Sequence, residues 1–469
     1  MRHNGDMPLD APDLLKERAH FSRAEARELG KSLRRVVARS ELAEHRPTTR
    51  DAVAHLREQN ATRVPELVPV RMERMLASPF AFYRGTAGLM ALDLGHDPHS
   101  GILVASCGDA HISNFGFFAS PERQLVFDLN DFDEAAVAPW EWDVKRLVTS
   151  VIVGGREAGY AKKDVEQVAH RTFAQYVAVL RRMVRLSPSG RYFMHLNVES
   201  ARRQLSSDGR RVLNAALAAA ERRTSGRAIR RTTEREPDGK LRFVENPPTM
   251  VRFHLDEATP VAGAERAESI HALFAQYRDT VTIDIDTVLA QYEPTDLARR
   301  VVGVGSVGTR CYLQLLQGAD EDALLLQVKE AGESVLSQYG RIPQPARITE
   351  GVAAHGEGFR VVGLQRVLQA VSDPFLGHLE ANGRAFYVRQ FHDMKGSVEL
   401  DGLPLDAFSD YVVSCGGLLG RAHAQSPTAG QVLGYIGTSD AASTAIVAWA
   451  AAYADQSHRD FETASAATW

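Results

Sequence analysis

The sequence is poor in cysteine, has no long apolar run and carries almost no excess of either charge. Its three cysteines, Cys107, Cys311 and Cys415, are far apart and odd in number, which argues against a disulfide framework or a paired-cysteine zinc site. Nothing approaches the roughly 18 consecutive apolar residues of a membrane-spanning helix. The richest stretch, Thr444 to Ala454, is too short and too rich in alanine. No apolar signal core follows Met1 to Asp6, so a reducing cytoplasm is the expected location. With 55 Lys and Arg against 59 Asp and Glu, the net charge of −4 gives no global pull toward nucleic acid or anionic lipid. No membrane partner and no nucleic-acid partner is therefore expected, and the oligomeric state is left open.

What remains is a chain of 469 residues with 44% hydrophobic and 24% charged residues, the composition of a soluble globular protein large enough for two or three lobes. Residues 1–60 are polar with helical spacing and read as an N-terminal helical arm. Residues 61–300 read as a mainly helical lobe. Within it, Gly101 to Ser106 and Gln124 to Leu129 are short strand candidates, with a polar loop between them. Residues 155–235 look wholly helical, Pro247-Pro248 is a break, and residues 262–300 read as helix again. From 301 to 395 the pattern turns strand-rich, and residues 396–469 read as helices returning to the large lobe. The class this order implies is α+β, with a mostly helical large lobe and a small antiparallel-sheet lobe.

The chemistry concentrates in Cys107-Gly108-Asp109-Ala110-His111-Ile112-Ser113-Asn114 and in the acidic run Phe127-Asp128-Leu129-Asn130-Asp131-Phe132-Asp133. A hard cation such as magnesium takes oxygen ligands, usually one or two carboxylates with phosphate oxygens and water. Asn114, Asp128, Asp131 and Asp133 are the candidate ligands, and the loop would be a divalent-metal and phosphate site. Asp109, left free of the metal, would orient or deprotonate an attacking hydroxyl. A lone Asp–Asn pair usually only caps a turn. So many carboxylates between apolar strands are costly to bury without a cation. His111 stands with Asp109 as a catalytic candidate. It would serve as metal ligand, substrate donor or loop brace.

Gly303-Val304-Gly305-Ser306-Val307-Gly308 has G-x-G-x-x-G spacing, which marks a dinucleotide site only when it opens a helix. Here Cys311 to Leu316 follows with a strand pattern. That favours a glycine-rich β-turn over phosphates, with Gly303, Gly305 and Gly308 as its nucleotide-binding glycines. Leu325-Leu326-Gln327-Val328-Lys329 then reads as the strand that carries a phosphate-pairing lysine, with Glu330, Glu333 or Glu350 as its carboxylate partner. Asp143 begins a helix after Pro139 and reads as a cap or a brace for the acidic loop. The arginines from Arg222 to Arg235 read as a solvated helix face.

Together, Arg84-Gly85 and the segments at 107–116, 127–135, 139–147, 303–312, 326–331 and 372–377 resemble the bacterial family called domain of unknown function 2252, over nearly the whole chain from about Arg63. The Gly108-Asp109, Asn114 and Asp128 spacing also resembles the loops of aminoglycoside phosphotransferases and other kinase-like enzymes. That second resemblance implies ATP and Mg2+ as cofactors. It makes Asp109 the catalytic base, Asn114 and Asp128 magnesium ligands, and Asp143 the brace of the catalytic loop. Cys107 departs from it, standing where those enzymes usually have histidine. The glycine loop and Lys329 also follow the catalytic loop in sequence rather than precede it. A kinase-like two-lobed fold would therefore be circularly permuted, with Lys329 and Asp128 meeting across one cleft. The expected activity is ATP- and magnesium-dependent phosphotransfer, or nucleotidyl transfer, to an unidentified acceptor, either a small molecule or a protein. A metal-dependent phosphoesterase and a non-catalytic nucleotide-binding pseudokinase are the alternatives.

Overall fold

The computed structural model describes residues 21–46, 49–194, 202–253, 270–301, 307–320, 322–391 and 396–469. The first twenty residues of the expected arm, and Gly303 and Gly305 of the glycine-rich stretch, lie outside the described residues. The arm's described part holds the helices Arg23–Ser32 and Ala52–Ala61.

The helical part is built on four long helices, Trp140–Glu157, Lys162–Val184, Leu405–His423 and Ala441–Ala466, which pack against one another. Their apolar stripes bury Trp140, Tyr176, Leu418 and Trp449 in one core, where Trp140 stacks on Tyr176. Two small sheets sit on this core. Strand β1 (Leu103–Ser106) and strand β4 (Ala136–Pro139) pair antiparallel, and β2 (Phe115–Ala119) pairs with β3 (Leu125–Leu129) as a hairpin. The sequence pattern had shown β1 and β3 but not their partners.

A third small pair, β5 (Thr233–Arg235) with β6 (Leu241–Phe243), leads to the main sheet. That sheet has six antiparallel strands: β7 (Met250–Arg252), β8 (Glu293–Arg300), β9 (Cys311–Gln317), β10 (Ala323–Glu330), β11 (Gly377–Ala381) and β12 (Arg384–Gln390). Their spatial order is β11-β12-β10-β9-β8-β7. The protein is therefore α+β, with helices predominating and one antiparallel sheet. The sheet reaches further back than residue 301. The stretch read as helical over 262–300 holds the helices Ile270–Arg278 and Ile283–Leu289, but then β8. In β8, Pro294, Asp296 and Ala298 are buried at every second position, a strand pattern masked by four charged residues in eight.

The faces of β10 explain where its lysine goes. Side chains alternate across a strand. Leu324, Leu326 and Val328 enter a core under the Ile270–Arg278 helix, with Phe274 and Tyr277. Leu325, Gln327 and Lys329 therefore share the opposite face. The helix Ala346–Leu368 packs on β11 and β12 and connects the sheet to the helical core through Val361, Leu364 and Leu368.

Candidate active site

Gly108 begins the 108–114 loop in a left-handed conformation with φ of +80°. A Cβ there would lie 2.0 Å from the carbonyl oxygen of Glu134, so only glycine allows this loop and the acidic run to touch. Asp143, in the first turn of the Trp140–Glu157 helix, accepts the N–H groups of Cys107 at 2.8 Å and Gly108 at 2.9 Å. His423 Nε2 lies 3.2 Å from the same carboxylate, and Tyr176 contacts the other ring nitrogen. Asp143 is thus a buried brace of the loop.

Past the brace, Asp109 meets Arg146, whose Nε donates to Oδ1 at 2.8 Å. Burial opposes the charge on Arg146, but Asp109 holds this guanidinium above arginine's ordinary value. Asp109 Oδ2 lies 3.6 Å from Nε2 of His111. His111 is 3% exposed, its Nδ1 has no hydrogen-bond partner, and burial pushes the imidazole down to about 3, so the ring is neutral near pH 7. Asn114 Nδ2 donates to the Asp109 carbonyl at 2.7 Å, and Asn130 N–H donates to the Asn114 carbonyl at 2.9 Å. These bonds fix the 108–114 loop to the acidic run.

Across from this loop stands Lys329. Its Nζ forms an ion pair with Asp133 and lies 3.6 Å from Asp131 Oδ1. Burial pulls against the charge, but the two carboxylates hold the ammonium well above its usual value. Tyr387 O–H donates to Asp133 at 2.8 Å. None of the three glutamates expected to pair with Lys329 does so. Glu330 pairs with Arg310 and Arg384 instead, because it is the next residue on the strand and points to the other face.

Two chambers meet here, and Asp131 lines both. The larger, about 620 Å³, is walled by Gln327, Lys329, Arg389, Arg123 and Arg300 together with Phe118, Phe375 and Phe391. Arg389 donates to Gln327 at 2.8 Å and to the Asn130 carbonyl at 3.2 Å. The smaller, about 140 Å³, takes in Asp109, His111, Asn114, Asp131, Asp133 and Glu134 from the loops, with Arg63 and Arg84 from the preceding helical segment. Burial pushes Glu134 up to about 7, and its carboxylate accepts the N–H of Val335 at 2.8 Å.

The structure corrects one expected metal ligand. Asp128 borders neither chamber. It is fully buried, with Oδ1 accepting the N–H of Leu129 at 2.9 Å and Oδ2 that of Ala370 at 2.8 Å. It ties the end of β3 to the segment after the Ala346–Leu368 helix. Asp131 and Asp133, beyond the strand, are the carboxylates that reach the cleft. Among the described residues, no three His, Cys, Asp or Glu side chains are grouped closely enough to hold a metal by themselves. Of the glycines, Gly308 has φ of +87° and lies against Arg63. Its carbonyl accepts the N–H of Val64 at 2.8 Å. The glycine-rich stretch lies in sequence between two antiparallel strands, β8 and β9, and its described end, Val307 and Gly308, leads into β9. Arg63, Arg146, Glu134 and Tyr387 carried no signal of their own in the sequence. Arg84 stood out only for its place beside Gly85.

Residues 63–467 match the family described as uncharacterized proteins conserved in bacteria, DUF2252. The chain belongs to that family. In this DUF2252 chain the match begins at Arg63, on the wall of the smaller chamber, and takes in both loops and the whole six-stranded sheet. No curated protein and no solved structure matches the chain. No helix among the described residues is long and apolar enough to cross a membrane.

Proposed function

We propose that this protein is an ATP- and magnesium-dependent phosphotransferase with a circularly permuted kinase-like architecture. The observation that carries the reading is the pairing of Lys329, on the inner face of β10, with Asp131 and Asp133 of the acidic run. It joins the two halves of a phosphate site that are far apart in sequence. In support, a glycine-rich connection precedes the lysine strand in an antiparallel sheet, as in kinases. A chamber of about 620 Å³ with aromatic and cationic walls suits a nucleotide.

Asn114, Asp131 and Asp133 offer only oxygen-rich side chains on one chamber, which fits magnesium. With few protein carboxylates, such a site is completed by phosphate oxygens and water. When bound, magnesium supplies charge neutralisation on the phosphates. Lys329 would neutralise phosphate charge from the sheet side. Asp109 would orient the acceptor hydroxyl and take its proton on Oδ2. The oxygen–phosphorus bond to the acceptor forms as the bond to the leaving diphosphate breaks, and Arg146 holds the Asp109 carboxylate in position throughout. His111, neutral, would offer one ring nitrogen as a donor.

Thermal unfolding with ATP, with and without magnesium, tests this in the wild type, Asp131→Ala and Lys329→Ala. A ligand at about 100 times its dissociation constant stabilises by roughly 2.7 kcal/mol, a shift of a few degrees. The shift is expected only with magnesium and is expected to be lost in both variants. No shift at millimolar ATP sinks the proposal. Magnesium-dependent binding with no transfer of phosphate or nucleotide makes the protein a nucleotide sensor. Manganese-dependent cleavage of a generic phosphoester, indifferent to Lys329, makes it a hydrolase.

A further inference from the structure

The smaller chamber is lined by four carboxylates, Asp109, Asp131, Asp133 and Glu134, and by two arginines, Arg63 and Arg84, that form no ion pair among the described residues. Asp109 is matched by Arg146, and Asp133 by Lys329. Arg63 and Arg84 also face this chamber, and the Nε of each is buried without a hydrogen-bond partner. A buried donor left unpaired is costly, more so when charged, unless a ligand supplies the acceptor. His111 adds a third unsatisfied group, an Nδ1 on a ring only 3% exposed in the same chamber. Arginine's planar fork matches phosphate oxygens in a bidentate way. The volume of about 140 Å³ is room for a phosphoryl group and is far less than that of the larger chamber.

The chamber also adjoins the end of the glycine-rich stretch. Arg63 Nη1 donates to the Val307 carbonyl at 2.6 Å, and Thr309 completes the wall. Arg63 therefore holds the tail of that stretch at the wall of the chamber that Asp109, His111 and Asn114 also line. Arg84 makes no such structural bond and is the more dedicated of the two.

We propose that the smaller chamber is a phosphoryl subsite gripped by Arg84 and Arg63. The inference rests on the phosphotransfer reading of the cleft and names what that reading leaves open on the acceptor side. The phosphoryl group comes either from the tail of a nucleotide that reaches past Asp131 or from a phosphorylated second substrate.

Calorimetric titration of the full-length protein with pyrophosphate tests this. The wild type is expected to bind it, Arg84→Ala to weaken binding at least tenfold, and Arg84→Lys to fall between, because one point charge replaces a fork. Thermal melts establish that each variant is folded. Should Arg84→Ala fail to fold, Arg84→Lys carries the comparison, with a threefold or greater loss expected. No binding to the wild type, or equal binding to the wild type and the folded Arg84 variants, overturns the subsite. Competition then assigns the source. ATP displacing pyrophosphate where AMP does not assigns the subsite to the nucleotide's own phosphates. ATP and pyrophosphate bound together assign it to a phosphorylated second substrate. Displacement by AMP moves the anion to the larger chamber and overturns the subsite. The two proposals fail separately. Magnesium-dependent ATP binding without pyrophosphate binding removes the subsite and keeps the transferase. Pyrophosphate binding that depends on Arg84, with no ATP binding, does the reverse.

Discussion

At the scale of single residues, His111 shows how burial sets a side chain's chemistry. Burial pushes its imidazole down to about 3, while in the unfolded chain it titrates near histidine's ordinary value of about 6.5. A folded-state pKa that is depressed means the unfolded chain binds the extra proton. The stability this residue contributes is therefore present above about pH 6.5 and is lost as the pH falls toward 3. Without nucleotide or divalent cation, wild type is expected to lose about 2 kcal/mol more than His111→Gln between pH 7 and pH 5. Urea denaturation at the two pH values measures this. Equal losses would mean that the ring is protonated in the folded protein. The aspartates teach a related lesson. The sequence shows Asp128, Asp131 and Asp133 as one acidic run, with nothing local to separate them. Their separation comes from a distant partner, the N–H of Ala370, which claims Asp128 and leaves the other two for the cleft. Asp143 was legible as a brace, because its place at a helix start after Pro139 is local.

At the scale of elements, the parts that could be read were those with a clean period or a turn signal. β9 and β10 alternate around an obvious hairpin turn, and their pairing runs from Ala323 opposite Gln317 to Lys329 opposite Cys311. β8 was hidden because its charged residues imitate a helix surface. The Ala346–Leu368 helix was hidden because glycines interrupt it, and Gly356 departs from helical geometry with φ of +69°. The loop that begins at Gly108 depends on a contact no period predicts, its approach to Glu134. Gly108→Ala is therefore expected to be severe. The new Cβ would meet backbone at 2.0 Å in a conformation that disfavours side chains. A loss of roughly 3 kcal/mol or more is expected from the clash, the strain and the misplaced N–H that Asp143 now accepts. The thermal midpoint checks the loss, and ATP-induced stabilisation checks the accompanying displacement of Asp109. A variant with wild-type stability would show that the loop and the acidic run are not in contact.

At the scale of the whole molecule, the chain forms most of its helical core, then the six-stranded sheet, and then returns to the helical core with the Leu405–His423 and Ala441–Ala466 helices. Local patterning showed this order, but not that the two parts face one another. That depends on Lys329 reaching Asp133, and on Arg360, whose Nη2 donates to the Asp133 carbonyl at 3.0 Å and to the Gly332 carbonyl at 2.8 Å. Arg360 lies on the Ala346–Leu368 helix, so one guanidinium clamps the acidic run to the end of the lysine strand. A nucleotide in the larger chamber would touch both parts at once, since its walls draw on β10 and β12 of the sheet and on the segment around Asn130 and Asp131. Local opening is suppressed wherever a ligand contacts the closed form. Amide exchange with ATP and magnesium is therefore expected to slow at least several-fold in two separate stretches, residues 107–134 and residues 323–330. Lys329→Ala is expected to abolish protection of both together, because without the lysine the phosphates lose their contact on the sheet side. Protection confined to one stretch would place the ligand on a single part of the molecule, and the permuted kinase-like arrangement would fail.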